Sequence, residues 1–311
     1  MRAVWSYWSK PNRVHRHWRD ERSHLLSWAL SVETARKHYP ECALVTDSDG
    51  ARLLVKELGL PFTDVSTALD ALDDVPTSWW AMGKLWAYRA QRAPFVHLDS
   101  DVYLWSRLPD ALERAPVLAQ SPEGVGEMGG VYQPARLRSV LRARGGWVPA
   151  EWDHYLAHGG AHAANCGIVG GNDVELLRHY ASVAIEVALH RLNHAAWADE
   201  RMDHNPLVEQ YLLCACVDHR GLERAAPLRP RIEYLFPTGD TRSASQLGYT
   251  HLIYTAKSNP DALARLARRV AQDYPHHHRR CVELTSCARA ADPWTLPAPP
   301  EPNRARAELA G

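Results

Sequence analysis

The sequence lacks a surplus of charge of either sign, since 36 Lys and Arg residues balance 36 Asp and Glu residues over 311 positions. Proteins that bind a nucleic-acid polymer usually carry a basic surplus or a dense basic patch, so we expect no such partner. Long apolar runs are also missing, and none approaches the roughly 18 residues of a membrane span. The segment from Met1 to Trp5 is too polar for a secretion signal. These absences predict a cytoplasmic protein without a membrane span.

Cysteine is scarce, because six cysteines in a chain of this length do not form a disulfide scaffold. We expect them to be reduced. Cys214 and Cys216 are separated by one residue and not by the two typical of a zinc site, so both are interpreted as small buried core residues. The run 276–278 contains three histidines, with Cys281 and Cys287 nearby. These are metal-ligand types, but a basic, solvated helix end is the preferred interpretation.

Apolar residues make up 46% of the chain, which is enough to bury a sizeable core. In the first third of the chain, short apolar strands alternate with helical patterns. This alternation is typical of right-handed crossovers and predicts an α/β fold in which helices flank a mixed, mostly parallel sheet. The predicted strands are 2–8, 42–46, 61–65 and 95–98, and the predicted helices are 23–38, 51–58 and 78–92.

The later elements are less regular. No linker or internal repeat divides the chain, so residues 1–287 are predicted to form a single domain. Residues 288–311 are rich in Pro and Ala, which predicts a disordered tail. The later predicted strands are 117–120, 163–169, 232–236 and 250–254, and the later helices are 173–196, 206–218 and 260–273.

Two carboxylates directly follow the predicted strand 95–98. Asp99 and Asp101 leave the sheet at the carboxyl end of that strand, which is the edge where parallel α/β sheets bind ligands. Both can turn toward one hard cation, and oxygen ligands suit Mg²⁺ or Mn²⁺. Asp47 and Asp49 form a second Asp-x-Asp. A helix follows them, so Asp49 is interpreted as the helix N-cap.

Several short motifs, in order over roughly residues 1–260, resemble those of the GT-A-fold glycosyltransferases, in particular the glycogenin-like retaining group. Residues 4–11 are also similar to a bacterial family of unknown function. The resemblance implies a GT-A-like fold. It also implies a metal-dependent glycosyltransferase that moves a sugar from a nucleotide-diphosphate sugar to a hydroxyl acceptor, in bacterial glycan or natural-product biosynthesis. The acceptor is left open between a glycan, a lipid-linked glycan, a peptide and a small molecule.

The metal site carries over residue by residue. Asp99 and Asp101 match the family's metal-binding Asp-x-Asp, and His251 matches its third metal ligand. A neutral imidazole nitrogen among the ligands favours Mn²⁺ over Mg²⁺. Lys257 matches the lysine that meets the diphosphate. Tyr254 stands where the family has Gly, so this loop need not follow the same path.

Other residues match positions near the donor. Asn165 and Gly167 form an Asn-x-Gly motif that faces the donor sugar in the family, and Lys84 stands where a basic residue often touches the donor. Glu209 and Gln210 are similar to the family's Asp-Gln pair near the reacting centre, with an acid that is one methylene longer. The resemblance therefore implies donor contacts at Lys84, Asn165 and Gly167, and catalytic roles for Glu209 and Gln210.

Further donor contacts are predicted from position alone. Trp5, Ser6 and Tyr7 lie near the end of the first predicted strand, where aromatic rings can stack on a nucleotide base. Ser100 lies between the two carboxylates and is predicted to contact the donor.

An inverting transfer needs a carboxylate base, for which Asp153 and Glu209 are candidates.

A retaining transfer needs a polar group beneath the sugar, for which Gln210 and Asn165 are candidates. The resemblance favours retention, but residue types alone leave both stereochemical outcomes open.

Two other functions compete with sugar transfer. A nucleotidyltransferase or a phosphosugar hydrolase could use the same carboxylates, but nucleotidyltransferases usually have a Gly-rich loop after the first strand, and residues 6–9 contain no Gly. A catalytically silent nucleotide-binding module of the same fold is expected to lose Asp99, Asp101 or His251, and all three are present. The sequence therefore favours the glycosyltransferase.

Overall fold

The computed structural model describes residues 1–14, 17–126, 131–199, 204–221, 231–235 and 247–291. The strands in these ranges are short, and most are almost completely buried. They are β1 (Arg2–Tyr7), β2 (Cys42–Thr46), β3 (Asp64–Ser66), β4 (Phe95–Leu98), β5 (Val102–Leu104), β6 (Val117–Ala119), β7 (Pro122–Gly124), β8 (His162–Ala164), β9 (Ile168–Gly171), β10 (Ile232–Tyr234) and β11 (Tyr249–His251).

Helices connect most of these strands. Among the described helices, none combines the length and the apolarity that crossing a bilayer requires. The helices are α1 (Ser9–Val14), α2 (Glu21–Ala35), α3 (Ser48–Ala51), α4 (Met82–Ala90), α5 (Asp110–Glu113), α6 (Pro134–Ala143), α7 (Ala150–Ala157), α8 (Val174–Leu189), α9 (His194–Asp199), α10 (Leu212–Arg220), α11 (Pro260–Asp273) and α12 (Pro275–Ala291). Two segments are π-helical, Arg52–Glu57 and Leu207–Tyr211.

Seven strands form one sheet in the order β10-β6-β9-β4-β1-β2-β3. β9 runs antiparallel to its neighbours β4 and β6, and the other pairs are parallel. Two smaller antiparallel pairs are formed by β5 with β11 and by β7 with β8. The predicted mixed, mostly parallel sheet is therefore confirmed.

The sheet separates two hydrophobic cores. Along β1, Val4 enters the core beneath α4 and α8, whereas Trp5 enters the core beneath α2. This alternation follows from the two-residue period of a strand. α11 and α12 pack with α2, and α10 packs with α8 and α7. Helices therefore flank both faces of one sheet, as the α/β prediction requires.

The predicted bounds of a strand or helix are correct where the residues that flank it in the sequence end its apolar pattern. β4 and α11 have the predicted bounds. The predicted strand 163–169 is wrong in one respect, because residues 165–167 form a turn that divides it into β8 and β9. The predicted helix 173–196 is shorter, since α8 ends at Leu189.

The C-terminal helix changes two sequence interpretations. α12 extends to Ala291, so residues 288–291 of the predicted tail are helical, and residues 292–311 lie outside the described residues. His277, predicted in a solvated helix end, is buried, with its Nε2 3.0 Å from Glu33 Oε1. The side chain of Cys287 also lies outside the described residues.

The second Asp-x-Asp has a structural role at the start of α3. The N-cap is Asp47 and not the predicted Asp49, because Asp47 Oδ1 accepts a hydrogen bond from the Gly50 N–H at 2.7 Å. Gly50 is closely surrounded, since a Cβ at this position would lie 2.1 Å from Thr46 Oγ1. Capping and packing therefore account for this motif without a ligand.

We expect Gly50→Ala to lower the free energy of unfolding by about 1–3 kcal/mol, the usual cost of adding carbon to a well-packed site. Chemical denaturation measures this change. Gly126→Ala is the control, because a Cβ there meets nothing within 4 Å. Equal stability of the two variants would contradict the close packing around Gly50.

Candidate active site

Three potential metal ligands meet at the carboxyl end of β4. Asp99 and Asp101 lie in the turn between β4 and β5. β11 pairs antiparallel with β5 and places His251 opposite Val102. The Leu252 N–H then donates to the Asp101 carbonyl oxygen at 3.0 Å. This strand pairing brings an imidazole from late in the chain beside the Asp-x-Asp turn.

The side chains of Asp99, Asp101 and His251 offer ligand atoms that all lie within 4.8 Å of one another. His251 Nε2 is 3.4 Å from Asp101 Oδ1. Asp101 is only 3% exposed, and Asp99 is partly exposed at the edge of the sheet. Two carboxylates and one imidazole form a donor set that suits a divalent cation such as Mn²⁺. The structure thus brings together all three residues predicted as metal ligands.

Two residues fix the position of the His251 ring. Its Nδ1–H donates to Gln120 Oε1 at 2.8 Å, which turns Nε2 toward Asp101. Metal-bound histidines are typically oriented by such a second hydrogen bond. Gly167 leaves room for the ring, because a Cβ there would lie 2.4 Å from His251 Cε1. Gly167 is therefore required for the position of the imidazole.

Two lysines neutralise the carboxylates. Lys257 Nζ is 2.6 Å from Asp101 Oδ2, and Lys84 Nζ is 2.9 Å from Asp99 Oδ1. Lys84 Nζ also lies 2.5 Å from Glu209 Oε1. Since Glu209 is completely buried, Lys84 connects the Asp-x-Asp turn to a carboxylate inside the protein.

Burial and these ion pairs shift the pKa values of the three acids in different directions. Burial opposes ionisation of Asp101, but Lys257 and the nearby imidazole outweigh it and hold the pKa of Asp101 well below its usual range. Burial and the Asp101 charge raise the pKa of Asp99 against the attraction of Lys84. Burial also raises the pKa of Glu209. One firmly ionised carboxylate thus lies near two that are protonated more easily.

The loop after β11 keeps His251 and Lys257 on the same carboxylate despite the tyrosine between them. Tyr254 has a φ of 49°, a left-handed conformation that favours glycine. Its side chain is 66% exposed, so the ring displaces nothing in the core. The tyrosine at this position therefore leaves both His251 and Lys257 in contact with Asp101.

A pocket of about 710 Å³ lies beside these residues, a size suited to a small-molecule ligand. Aromatic rings form much of its wall, including those of Trp8, Trp18, Trp28 and Trp80. The predicted site residues that line it are Ser6, Tyr7, Lys84, Ser100, Asp101, Gln210, His251 and Lys257.

Six predicted site residues do not line this pocket, namely Trp5, Asp99, Asp153, Asn165, Gly167 and Glu209. Asp99 and Gly167 belong to the cluster around His251 described above. Trp5 cannot stack on a ligand, because it is completely buried and its Nε1–H donates to Ser31 Oγ at 3.0 Å. Asp153 lies on α7, where its Oδ2 accepts from Arg142 at 2.5 Å. Glu209 is enclosed with Lys84 in the interior and cannot meet an acceptor hydroxyl in the pocket.

Asn165 shapes the turn behind the site. Its Oδ1 accepts from the Gly167 N–H at 3.0 Å, and its Nδ2 donates to Glu123 Oε1 at 2.7 Å. Sequence reasoning missed both Glu123 and Gln120. Gln120 directly follows β6, which runs parallel to β4, so a search for polar residues after each parallel strand would have found it.

We expect Gln120→Leu to weaken Mn²⁺ binding about 10- to 100-fold, the usual effect of losing the partner that orients a ligand. Titration calorimetry measures this affinity. Gln91→Leu is a matched control, because Gln91 is just as deeply buried but bonds to Arg2 and the Ala87 carbonyl. Equal Mn²⁺ affinity in both variants would show that Gln120 does not orient His251.

Comparison with known proteins places the chain in a family. A solved structure of galactosyltransferase LgtC in complex with donor and acceptor sugar analogs aligns with 96% of this chain and 98% of that chain, at 11% identity and a TM-score of 0.40. A similarity of this degree identifies neither an activity nor a substrate. No curated protein matches the chain. The model of a family of unknown function (DUF6734) matches residues 1–284, and the chain belongs to this family.

Proposed function

We propose that this protein is a metal-dependent glycosyltransferase that moves a sugar from a nucleotide-diphosphate sugar to a hydroxyl acceptor. The observation that carries the proposal is the convergence of Asp99, Asp101 and His251 with Lys257 beside one aromatic-lined pocket. Two carboxylates and an imidazole suit a divalent cation, and an adjacent ammonium suits a diphosphate.

Asp99, Asp101 and His251 would hold Mn²⁺, or alternatively Mg²⁺. The donor set fits, because His251 already donates through Nδ1 and keeps Nε2 available next to the carboxylates. When bound, the cation supplies Lewis-acid stabilisation of negative charge on a diphosphate. The contribution of the protein is to keep the three ligands oriented before the cation arrives.

Lys257 is assigned to the leaving diphosphate. Its ammonium pairs with Asp101 and lies 5.8 Å from the centre of the Trp18 ring, at the wall of the pocket. A lysine side chain is long and flexible, so the ammonium can turn from Asp101 toward an anionic ligand. A positive charge at this point favours departure of the nucleoside diphosphate.

The remaining pocket residues are assigned to the donor. Ser6, Tyr7 and Ser100 line the part of the wall formed by the ends of β1 and β4, where we place the nucleotide. Lys84 reaches the wall from α4 while pairing with Asp99. Its main role is to balance the carboxylates, and contact with the donor is secondary.

Retention of configuration is the stereochemical course that we propose. Among the described residues that line the pocket, Asp101 is the sole carboxylate, and we assign it to the metal. An inverting enzyme would need a further carboxylate base at the acceptor hydroxyl. Gln210 lines the pocket from the π-helical turn, with its Oε1 against the Tyr132 hydroxyl. It is the polar group that we place beneath the sugar, and Asn165 is connected to it through Glu123 and the Tyr132 hydroxyl.

We place the reaction in the cytoplasm, in bacterial glycan or natural-product biosynthesis. The five cysteines that the structure describes are free, in keeping with a reducing compartment. The acceptor is a hydroxyl on a glycan, a lipid-linked glycan, a peptide or a small molecule.

Coupled stabilisation by metal and nucleotide sugar is the expected signature of this function. A thermal-shift series with nucleotide sugars, with and without Mn²⁺, should raise the melting temperature most when both are present. Asp101→Asn should abolish this coupling and any sugar transfer, because it removes a metal ligand. Circular dichroism checks that the variant is folded.

Asp153→Asn is the matched control for Asp101→Asn. It changes a second sequence-predicted acid, which the structure places in ion pairs with Arg138 and Arg142 outside the pocket. Wild-type coupling and turnover are expected. Metal-dependent nucleotide binding that persists in Asp101→Asn would refute the metal assignment.

We expect Lys257→Ala to reduce the chemical step by about 100-fold or more, because the leaving diphosphate loses a positive charge. Single-turnover kinetics at saturating donor measure this step. Lys257→Arg should restore part of the rate, since charge matters more than fork geometry at a point contact. If Lys257→Ala changed only the affinity for the donor, Lys257 would be a binding residue with no role in leaving-group departure.

A further inference from the structure

A second cluster of metal-ligand side chains lies among the helices, away from the pocket. Glu151 is in the first turn of α7, His179 is on α8, and Cys216 is in the middle of α10. One ligand atom from each residue lies within 4.8 Å of the other two. His179 Nε2 is 2.7 Å from Glu151 Oε1. None of the three residues lines the pocket or contributes to the proposed transfer reaction.

We propose that Glu151, His179 and Cys216 form a zinc-binding site, separate from the Asp99–Asp101–His251 site. Thiolate, imidazole and carboxylate are the three ligand types that Zn²⁺ takes in proteins. They come from three different helices, which explains why the spacing of cysteines along the sequence gave no zinc signal. The sequence predicts Cys216 only as a buried core residue, and this proposal adds a role as a metal ligand.

The two sites differ in the metal that they should prefer. The site at β4 contains two carboxylates and an imidazole, and such oxygen-rich sets suit Mn²⁺ or Mg²⁺. The helical site contains a sulfur ligand and a single carboxylate, and soft thiolate ligands select Zn²⁺ over these harder cations. The thiolate therefore distinguishes the helical site from the site at β4.

Access and coordination number are compatible with zinc. The His179 side chain is 53% exposed while Cys216 is buried, so an ion can enter from solvent and reach the sulfur. A tetrahedral ion needs a fourth ligand in addition to these three. His219 follows Cys216 by three residues on α10 and interacts electrostatically with Glu151, so we assign the fourth position to His219 or to water.

The ion would connect the helices that support the candidate active site. α10 packs against both α7 and α8, and it continues directly from the π-helical turn that carries Glu209 and Gln210. An ion bound to the folded protein, and not to the unfolded chain, stabilises the folded state by mass action. We therefore assign the site a structural role in this helical layer.

Cobalt substitution tests the proposal on the full chain. Co²⁺ is added to the metal-free protein, and a thiolate-to-cobalt charge-transfer band in the near ultraviolet is expected at one equivalent, displaced by Zn²⁺. Cys216→Ser should remove the band. Cys214→Ser should keep it, because the Cys214 thiol lies two residues away and faces the Tyr234 hydroxyl at 3.9 Å. A band lost in Cys214→Ser and kept in Cys216→Ser would overturn the assignment.

His179→Ala is a second test, needed because a substitution of the buried Cys216 can disturb folding. The His179 side chain is largely exposed, so its removal is expected to leave the fold intact. It should weaken Co²⁺ affinity by more than about 10-fold, the smallest loss usual for even an outer partner. His276→Ala is the control, since it removes an exposed histidine from α12. The absence of a thiolate band in the wild type, or equal affinity in His179→Ala and His276→Ala, would overturn the proposal. Asp101→Asn should leave the band unchanged.

Discussion

The candidate active site depends on one electrostatic constraint, the burial of the Asp101 carboxylate. A charge that is almost completely enclosed is stable only when it is paired and hydrogen-bonded. Lys257 and His251 provide that pairing, and both come from the segment that begins with β11. The antiparallel pairing of β11 with β5 is therefore part of the site, because it sets the register that brings these groups to Asp101.

The charges around this carboxylate do not balance within the protein alone. Asp99, Asp101 and Glu209 face two ammonium groups, those of Lys84 and Lys257. In a region of low dielectric, an unmatched negative charge attracts a cation strongly. Burial raises the pKa of Asp99 and of Glu209, and a cation held next to the oriented imidazole would favour the ionised form of both acids. This arrangement is the physical reason for proposing a divalent cation there, independently of any resemblance.

The sequence was sufficient for features that depend on near neighbours. Proline and aspartate bound the apolar run of β4, so its ends and the position of Asp99 and Asp101 were predictable. Features that depend on contacts between residues far apart in the sequence could not be predicted from local patterns. The division between β8 and β9 occurs at Gly167, whose missing side chain makes room for His251, and no local pattern reveals that need.

Trp5 illustrates the same limit for a single side chain. An aromatic residue near a strand end can face a ligand or a core, and the choice depends on which helices cover each face of the sheet. Here α2 covers the face to which Trp5 points, and Ser31 on that helix accepts its indole N–H. Gln120 shows the converse, because its role depends on a histidine 131 residues away.

Glu209 and Gln210 show how two adjacent residues serve the site from opposite sides. The extra methylene of Glu209 lets its carboxylate reach Lys84 in the interior, while Tyr180 donates a hydrogen bond to the Glu209 carbonyl. A carboxylate held in this way acts on the pocket only through Lys84, which in turn holds Asp99. Gln210 instead reaches the pocket wall. Both side chains start from the π-helical turn, and such turns often occur at functional sites. Glu209 is therefore a positioning residue, whereas Gln210 is the residue of this pair that a ligand in the pocket can contact.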